Sequence, residues 1–200
     1  MLITPQETVT IEQLAEHCLH LPRSIKRIIL HWTAQPYDLQ FDDYHINIGK
    51  DGEIYFTCED LADLKAHTWH RNSGSIGIAL DCCENAIIGD EVEGTTPYID
   101  WGPCPPTQKQ IEAMAMVIAV LTANLGLDIN EDTVFTHAEA AIWDGYGIGS
   151  NDREMRWDLL YLPDLPLTDK LCNGGRVMRG KALWYRNTLY YGSGRNKGAD

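Results

Sequence analysis

A chain of 200 residues, 44% hydrophobic and 22% charged, suits one globular domain with at most a short appendage. That composition excludes collagen-like, disordered and coiled-coil classes, and no run approaches the roughly 18 apolar residues of a membrane span. A formal charge of −13 argues against nucleic acid as a partner, because phosphate binding needs clustered Lys and Arg.

The start, Met1 to Glu12, has neither a basic nor an apolar stretch of the signal-peptide kind, so no signal peptide is expected. Thr10 and Gln13 form a capping box, and Ile11, Leu14, Ala15, Cys18 and Leu19 follow at helical spacing, predicting a short helix to about His20. Arg27 to His31 reads as a buried strand. Tyr44 to Lys50 and Glu53 to Thr57 flank Asp51-Gly52 and predict a hairpin. Ser75 to Asp81 is apolar enough for a central strand. Gly89 to Pro106 reads as loop, and Thr107 caps the longest helix, which Gly126 ends. Thr133 to Thr136 is a short strand delivering His137. Gly145 to Asn151 is a Gly-rich loop, Met155 to Leu162 returns to order, and after Pro163 and Pro166 a terminal helix spans Arg176 to Tyr191. Strands alternating with helices predict a mixed sheet flanked by helices.

Charge is uneven: seven bases face one acid from Lys170 onward, which leaves +6 there and −19 on the rest. This basic end carries Trp184, Tyr185, Tyr190 and Tyr191, and reads as a helix packed on the domain in preference to a separate appendage. The six cysteines, at 18, 58, 82, 83, 104 and 172, contain no CxxC pair and read as free thiols.

Chemistry concentrates in His31, His137 and Asp158. Both histidines are placed at strand ends, which converge at one sheet edge in open α/β folds. Two imidazoles and a carboxylate are the three-ligand set of a catalytic zinc site, although each histidine taken alone also fits a hydrogen-bonded structural role.

Several segments occur in a telling order: His31-Trp32-Thr33, the Tyr44 hairpin, Ala66-His67, Asn72-Ser-Gly-Ser-Ile-Gly-Ile-Ala-Leu80, and Thr136-His-Ala-Glu139. Together they resemble the N-acetylmuramoyl-L-alanine amidases, the zinc amidase family that includes peptidoglycan recognition proteins and phage lysozyme-type amidases. The resemblance covers about residues 25 to 160. It implies an α/β fold, with a central mixed β-sheet flanked by helices and a zinc-bearing groove at one edge. The amidase domain would span residues 1–168, with its core at about 25–162, and the basic aromatic tail 169–200.

The resemblance implies one Zn²⁺ per chain, held by His31, His137 and Asp158. The gap before Asp158 is longer than the family's usual one, so Asp152 and Asp144 stay open as alternatives. The family's general base is a Glu on the central strand or a Tyr on the hairpin. The Glu position is Ala79 here, and Tyr44 matches the tyrosine version. Arg156 stands two residues before Asp158, where many members place a Lys that steadies the oxyanion. Trp32, His67, His70 and Asn72 are expected to line the substrate groove.

The implied activity is hydrolysis of the amide between N-acetylmuramic acid and the L-alanine of the stem peptide, with peptidoglycan or muropeptide as substrate. The alternatives are a non-catalytic peptidoglycan-binding module of the same fold, and a thiol hydrolase using Cys82 or Cys83. Without a signal peptide, the expected settings are a bacteriolytic phage endolysin, an exported effector paired with an immunity protein, or a cytoplasmic recycler of muropeptides.

Overall fold

The computed structural model describes residues 2–3, 7–89, 97–152, 156–164 and 168–191. Much of the acidic loop (90–96), Met155, Pro166 and the basic end with Arg195 and Lys197 lie outside the described residues. In chain order the elements are β1 (Leu2–Ile3), β2 (Thr8–Val9), α1 (Ile11–Cys18), β3 (Arg27–Trp32), β4 (Gln40–Phe41), β5 (Ile46–Ile48), β6 (Ile54–Phe56) and β7 (Ser75–Leu80). They continue with β8 (Ile87–Ile88), β9 (Ile99–Asp100), α2 (Gln108–Leu125), β10 (Val134–Thr136), α3 (His137–Asp144), β11 (Tyr161–Asp164), β12 (Thr168–Asn173) and α4 (Gly174–Arg186), the last running into a π-helical turn, Asn187–Tyr191.

The main sheet has the order β10-β3-β7-β5-β6-β2. Pairings are parallel from β10 through β3 and β7 to β5, then antiparallel through β6 to β2, so the sheet is mixed. β3 and β7 lie inside it, and every β7 residue is buried, which explains their near-continuous apolar sequence. The β5–β6 hairpin closes through Gly52, whose φ of +90° a side-chain-bearing residue rarely adopts.

Strand alternation divides the sheet into two unlike faces. Ile28, Leu30 and Trp32 of β3, Ile76, Ile78 and Leu80 of β7, and Ile46 and Ile48 of β5 join one large core with α1, α2 and α4. The intervening residues, Ile29 and His31 on β3, Asn47 on β5, and Ser75, Gly77 and Ala79 on β7, point to the other face. There Ala140 of α3 joins Ile29 of β3 and Phe135 of β10 in a small cluster. One face is thus sealed by helices, and the other is left open for polar groups.

The helices follow their signals. α1 and α2 each begin with a complete capping box, on Thr10–Gln13 and Thr107–Gln110, and Gly126 ends α2 in the left-handed conformation. α4 lies on the body, with Met178 and Ala182 in the main core, Lys181 bonded to Glu112, and Arg179 making two 2.9 Å contacts to Glu139. Among the described residues no helix is long and apolar enough to cross a membrane.

Four expectations need correction, the first being that the stretch read as loop from Gly89 to Pro106 carries β9, which pairs with β8. His137 does not close a strand: Thr136 ends β10 and caps α3, of which His137 is the first residue. Between Leu162 and the terminal helix, where no element was expected, the chain forms the β11–β12 pair, in which Pro163 stands opposite Leu171. The terminal helix starts two residues earlier than expected, at Gly174, capped by Asn173.

Candidate metal centre

His31 lies at the C-terminal end of β3, fully buried on the open face. His137 opens α3 in the first turn, where the Thr136–Glu139 capping box fixes the backbone. Asp158 arrives from a segment tied down on both sides: its carbonyl accepts from Ala138 N–H at 3.3 Å, and Leu160 O accepts from Gly174 N–H at 3.0 Å. Gly174 is required there, because a Cβ on it would stand 2.0 Å from Leu159 O.

These three side chains converge. Asp158 Oδ2 lies 3.1 Å from His31 Nδ1 and 3.3 Å from His137 Nδ1, and one donor atom from each residue falls within 4.8 Å of the other two. Tetrahedral zinc with bonds of 2.0–2.1 Å spaces neighbouring donor atoms by roughly 3.3 Å, so both measured edges fit that ion. Two imidazole nitrogens and one carboxylate oxygen, all buried, are also the donor set zinc prefers for an open, catalytic site.

The electrostatics agree with that use. Burial pushes the His31 pKa down to about 4, against the opposing hydrogen bond to the Asp158 carboxylate, so its ring is neutral near pH 7. Burial alone would raise the Asp158 pKa, but His137 and His31 outweigh it and hold the carboxyl well below its usual range. Both groups are therefore in the protonation state that metal binding demands.

Two cavities meet at this point. The larger, about 610 Å³, is lined by Trp69, Asn72, Asp144, Tyr146 and Asp152 among others. The smaller, about 310 Å³, is lined by Trp32, Asp43, Tyr44, Trp157 and Asp158 among others. Ala66, His67, His137 and Arg156 belong to both. Tyr44 tilts its ring 5.0 Å from that of His31, and its hydroxyl donates to Trp32 O at 3.4 Å. Burial first, then the Asp158 charge, raises the Tyr44 pKa well above the ordinary value. Ala79 is the direct cross-strand partner of His31, so no carboxylate is delivered from that position.

The other expected residues take distinct places. Trp32 is buried against Trp157, ring centroids 4.6 Å apart, at the wall of the smaller cavity. Asn72 turns its Oδ1 back to accept the N–H groups of His67 and Thr68, at 3.1 and 2.7 Å, and so holds the loop. His70 is exposed with φ +61° and lines neither cavity; the preceding Trp69 lines the larger one. Asp144 forms a two-toothed pair with Arg71 at 2.6 and 2.7 Å, Asp152 lies on the larger cavity's wall, and among the described residues the carboxylate that converges with the two histidines is Asp158. Cys82 and Cys83 are buried side by side and line neither cavity; burial drives the Cys82 pKa far up, the opposite of what a nucleophile needs.

His67 is closer to the centre than its sequence context suggested. Its Nδ1 stands 3.1 Å from His31 Nε2, and its ring lies flat on Gly77, where an added Cβ would be 2.7 Å from His67 Cγ. The glycine inside an otherwise apolar strand was the available signal for such a close approach. Trp69 and Tyr146, 5.3 Å apart edge to face on the larger cavity, carried no comparable signal.

A sequence model described as N-acetylmuramoyl-L-alanine amidase matches residues 21–153, which include His31 and His137 and stop before Asp158. No curated protein matches the chain. The solved structure of wild-type Drosophila PGRP-LB is similar at 17% identity and a TM-score of 0.41, covering 92% of this chain and 89% of that one.

Proposed function

The chain belongs to the N-acetylmuramoyl-L-alanine amidase family, and we propose that it is a zinc-dependent hydrolase that cuts the amide between N-acetylmuramic acid and L-alanine in peptidoglycan. The observation that carries this reading is the convergence of His31 and His137 on Asp158 at zinc-like spacings, 3.1 and 3.3 Å, between two cavities. Zinc held there supplies a Lewis acid for the scissile carbonyl and the means to lower the pKa of water toward neutrality.

The chain's own groups do the rest. The two cavities take the two sides of the amide, so that the bond lies across the residues they share. Tyr44, kept as a neutral phenol by its raised pKa, orients the attacking water through its oxygen. Arg156 brings a guanidinium to both cavities and balances the charge that develops on the carbonyl oxygen.

A recognition module without catalysis is the second reading, and Ala79 is the observation in its favour, because it leaves Tyr44 to act without a strand carboxylate. The test is metal content by mass spectrometry. Wild type should hold one zinc per chain, and His31→Ala, His137→Ala and Asp158→Ala should each lose it. Stoichiometric zinc retained by any of the three would remove that residue from the centre.

A further inference from the structure

We propose that His67 is a positioning residue that fixes the tautomer of the metal ligand His31, at the head of a hydrogen-bond chain ending on the Asn72 backbone carbonyl. The inference rests on the reading of His31 as a ligand through Nδ1, the nitrogen that faces Asp158.

The chain follows from where protons can go. A ligating Nδ1 must be bare, so the His31 proton sits on Nε2. That N–H meets His67 Nδ1 at 3.1 Å and Thr68 Oγ1 at 3.3 Å. His67 Nδ1 lies 2.9 Å from the same Thr68 hydroxyl. His31 donates to His67 directly, or to Thr68, which then donates to His67. A proton on His67 Nδ1 would instead leave a bare Nε2 facing Ser75 Oγ, whose one proton goes to Asn72 O, so Nδ1 of His67 is an acceptor. The His67 proton is therefore on Nε2, which faces Ser75 Oγ at 3.1 Å. Ser75 can accept it because its own hydroxyl donates to Asn72 O at 2.7 Å. A backbone carbonyl has no proton to give, so it sets the direction of every bond back to the metal.

The surroundings are built for this arrangement. His67, Thr68 and Ser75 are all buried, which makes an unpaired donor among them costly. Gly77 leaves room for the His67 ring. Asn72 Oδ1 holds the backbone of His67 and Thr68. His45 takes the Gly77 N–H on its Nδ1 at 2.9 Å and gives its own Nε2 proton to Asp63 O at 2.8 Å, so it does not compete for the chain.

The experiment is zinc affinity by competition with a chromophoric chelator, on the full chain, for wild type, His67→Phe, His67→Asn and Ser75→Ala. His67→Phe removes the acceptor and should weaken zinc binding by about 10–100-fold. His67→Asn, which puts an amide oxygen near the Nδ1 position, should recover most of the affinity. Ser75→Ala touches neither metal nor ligand, yet it should weaken binding, because His67 then loses the acceptor that fixes its tautomer. Imidazole ¹⁵N spectra of the zinc-loaded wild type should show the protons of both His31 and His67 on Nε2. Wild-type affinity in both His67→Phe and Ser75→Ala, or a His67 proton on Nδ1 in the spectra, overturns the inference while leaving the metal centre standing. A wild type that takes no zinc, or a His31→Ala variant that keeps it, overturns the metal reading and the inference with it.

Discussion

Asp81, at the end of β7 two residues beyond Ala79, gives a sharp test of how this sheet handles charge. Its carboxyl is fully buried, and Oδ2 accepts from Gln40 Nε2 at 3.1 Å. Its Oδ1 and the Gln40 Oε1 are buried without a donor among the described residues. Two acceptors lacking a donor at one place fit a carboxyl that keeps its proton. Burial accordingly raises its pKa from 3.8 to about 8, against the opposing bond from Gln40. The unfolded chain releases this proton near 3.8, and the folded chain holds it to about 8. Stability associated with the proton is complete below the first value and is lost as pH rises through the second, by about 1.4 kcal/mol per pH unit in between. Over the whole interval the loss is about 6 kcal/mol.

Asp81→Asn is neutral at every pH, and its amide oxygen still accepts from Gln40. Urea unfolding of both metal-stripped proteins at a series of pH values between those limits should therefore show the variant gaining on wild type as pH rises. A stability difference that stays flat across that range would refute a protonated, buried Asp81.

Three further outcomes follow from the centre. Tyr44→Phe should keep its zinc while turnover falls by about 10²-fold or more, and full turnover would remove Tyr44 from the mechanism. Arg156→Ala should lower kcat by about 10²–10³-fold, with Arg156→Lys recovering part of it through its charge; a Lys variant as poor as Ala would show that charge is not what matters there. Free zinc at a thousand times its Kd should stabilise the fold by about 4 kcal/mol. For a chain of this length that raises Tm by about 8–16 °C in a melt compared with excess chelator, and an unmoved Tm would mean that no metal binds the native state.

The parts of the fold legible in the sequence were those governed by local patterns. β3 and β7 announced themselves as apolar runs, the β5–β6 hairpin by Asp51-Gly52, and α1 and α2 by capping boxes. α3 was missed although it carries the same signature, because Thr136 to Glu139 follows directly on strand residues and His137 was read as their continuation. The β11–β12 pair was hidden by Pro163, a residue that ordinarily argues against a strand and here stands opposite Leu171. At the centre, His31 was visible as a polar residue ending a buried strand. The tie from Asp158 to the two histidines depends on a segment held by Ala138 and Gly174, contacts far apart in sequence. The place of His67 depends on its bonds to His31 on one side and Ser75 on the other, which no spacing reveals.

Digestion of purified peptidoglycan, with the released fragments identified by mass spectrometry and a chelated control run alongside, tests the central claim most directly. The account predicts stem peptides with a free amino terminus at L-alanine, released by the zinc-loaded protein and not by the chelated one. Zinc-loaded protein that binds the polymer and releases no such peptide, or release that persists without metal, would contradict it.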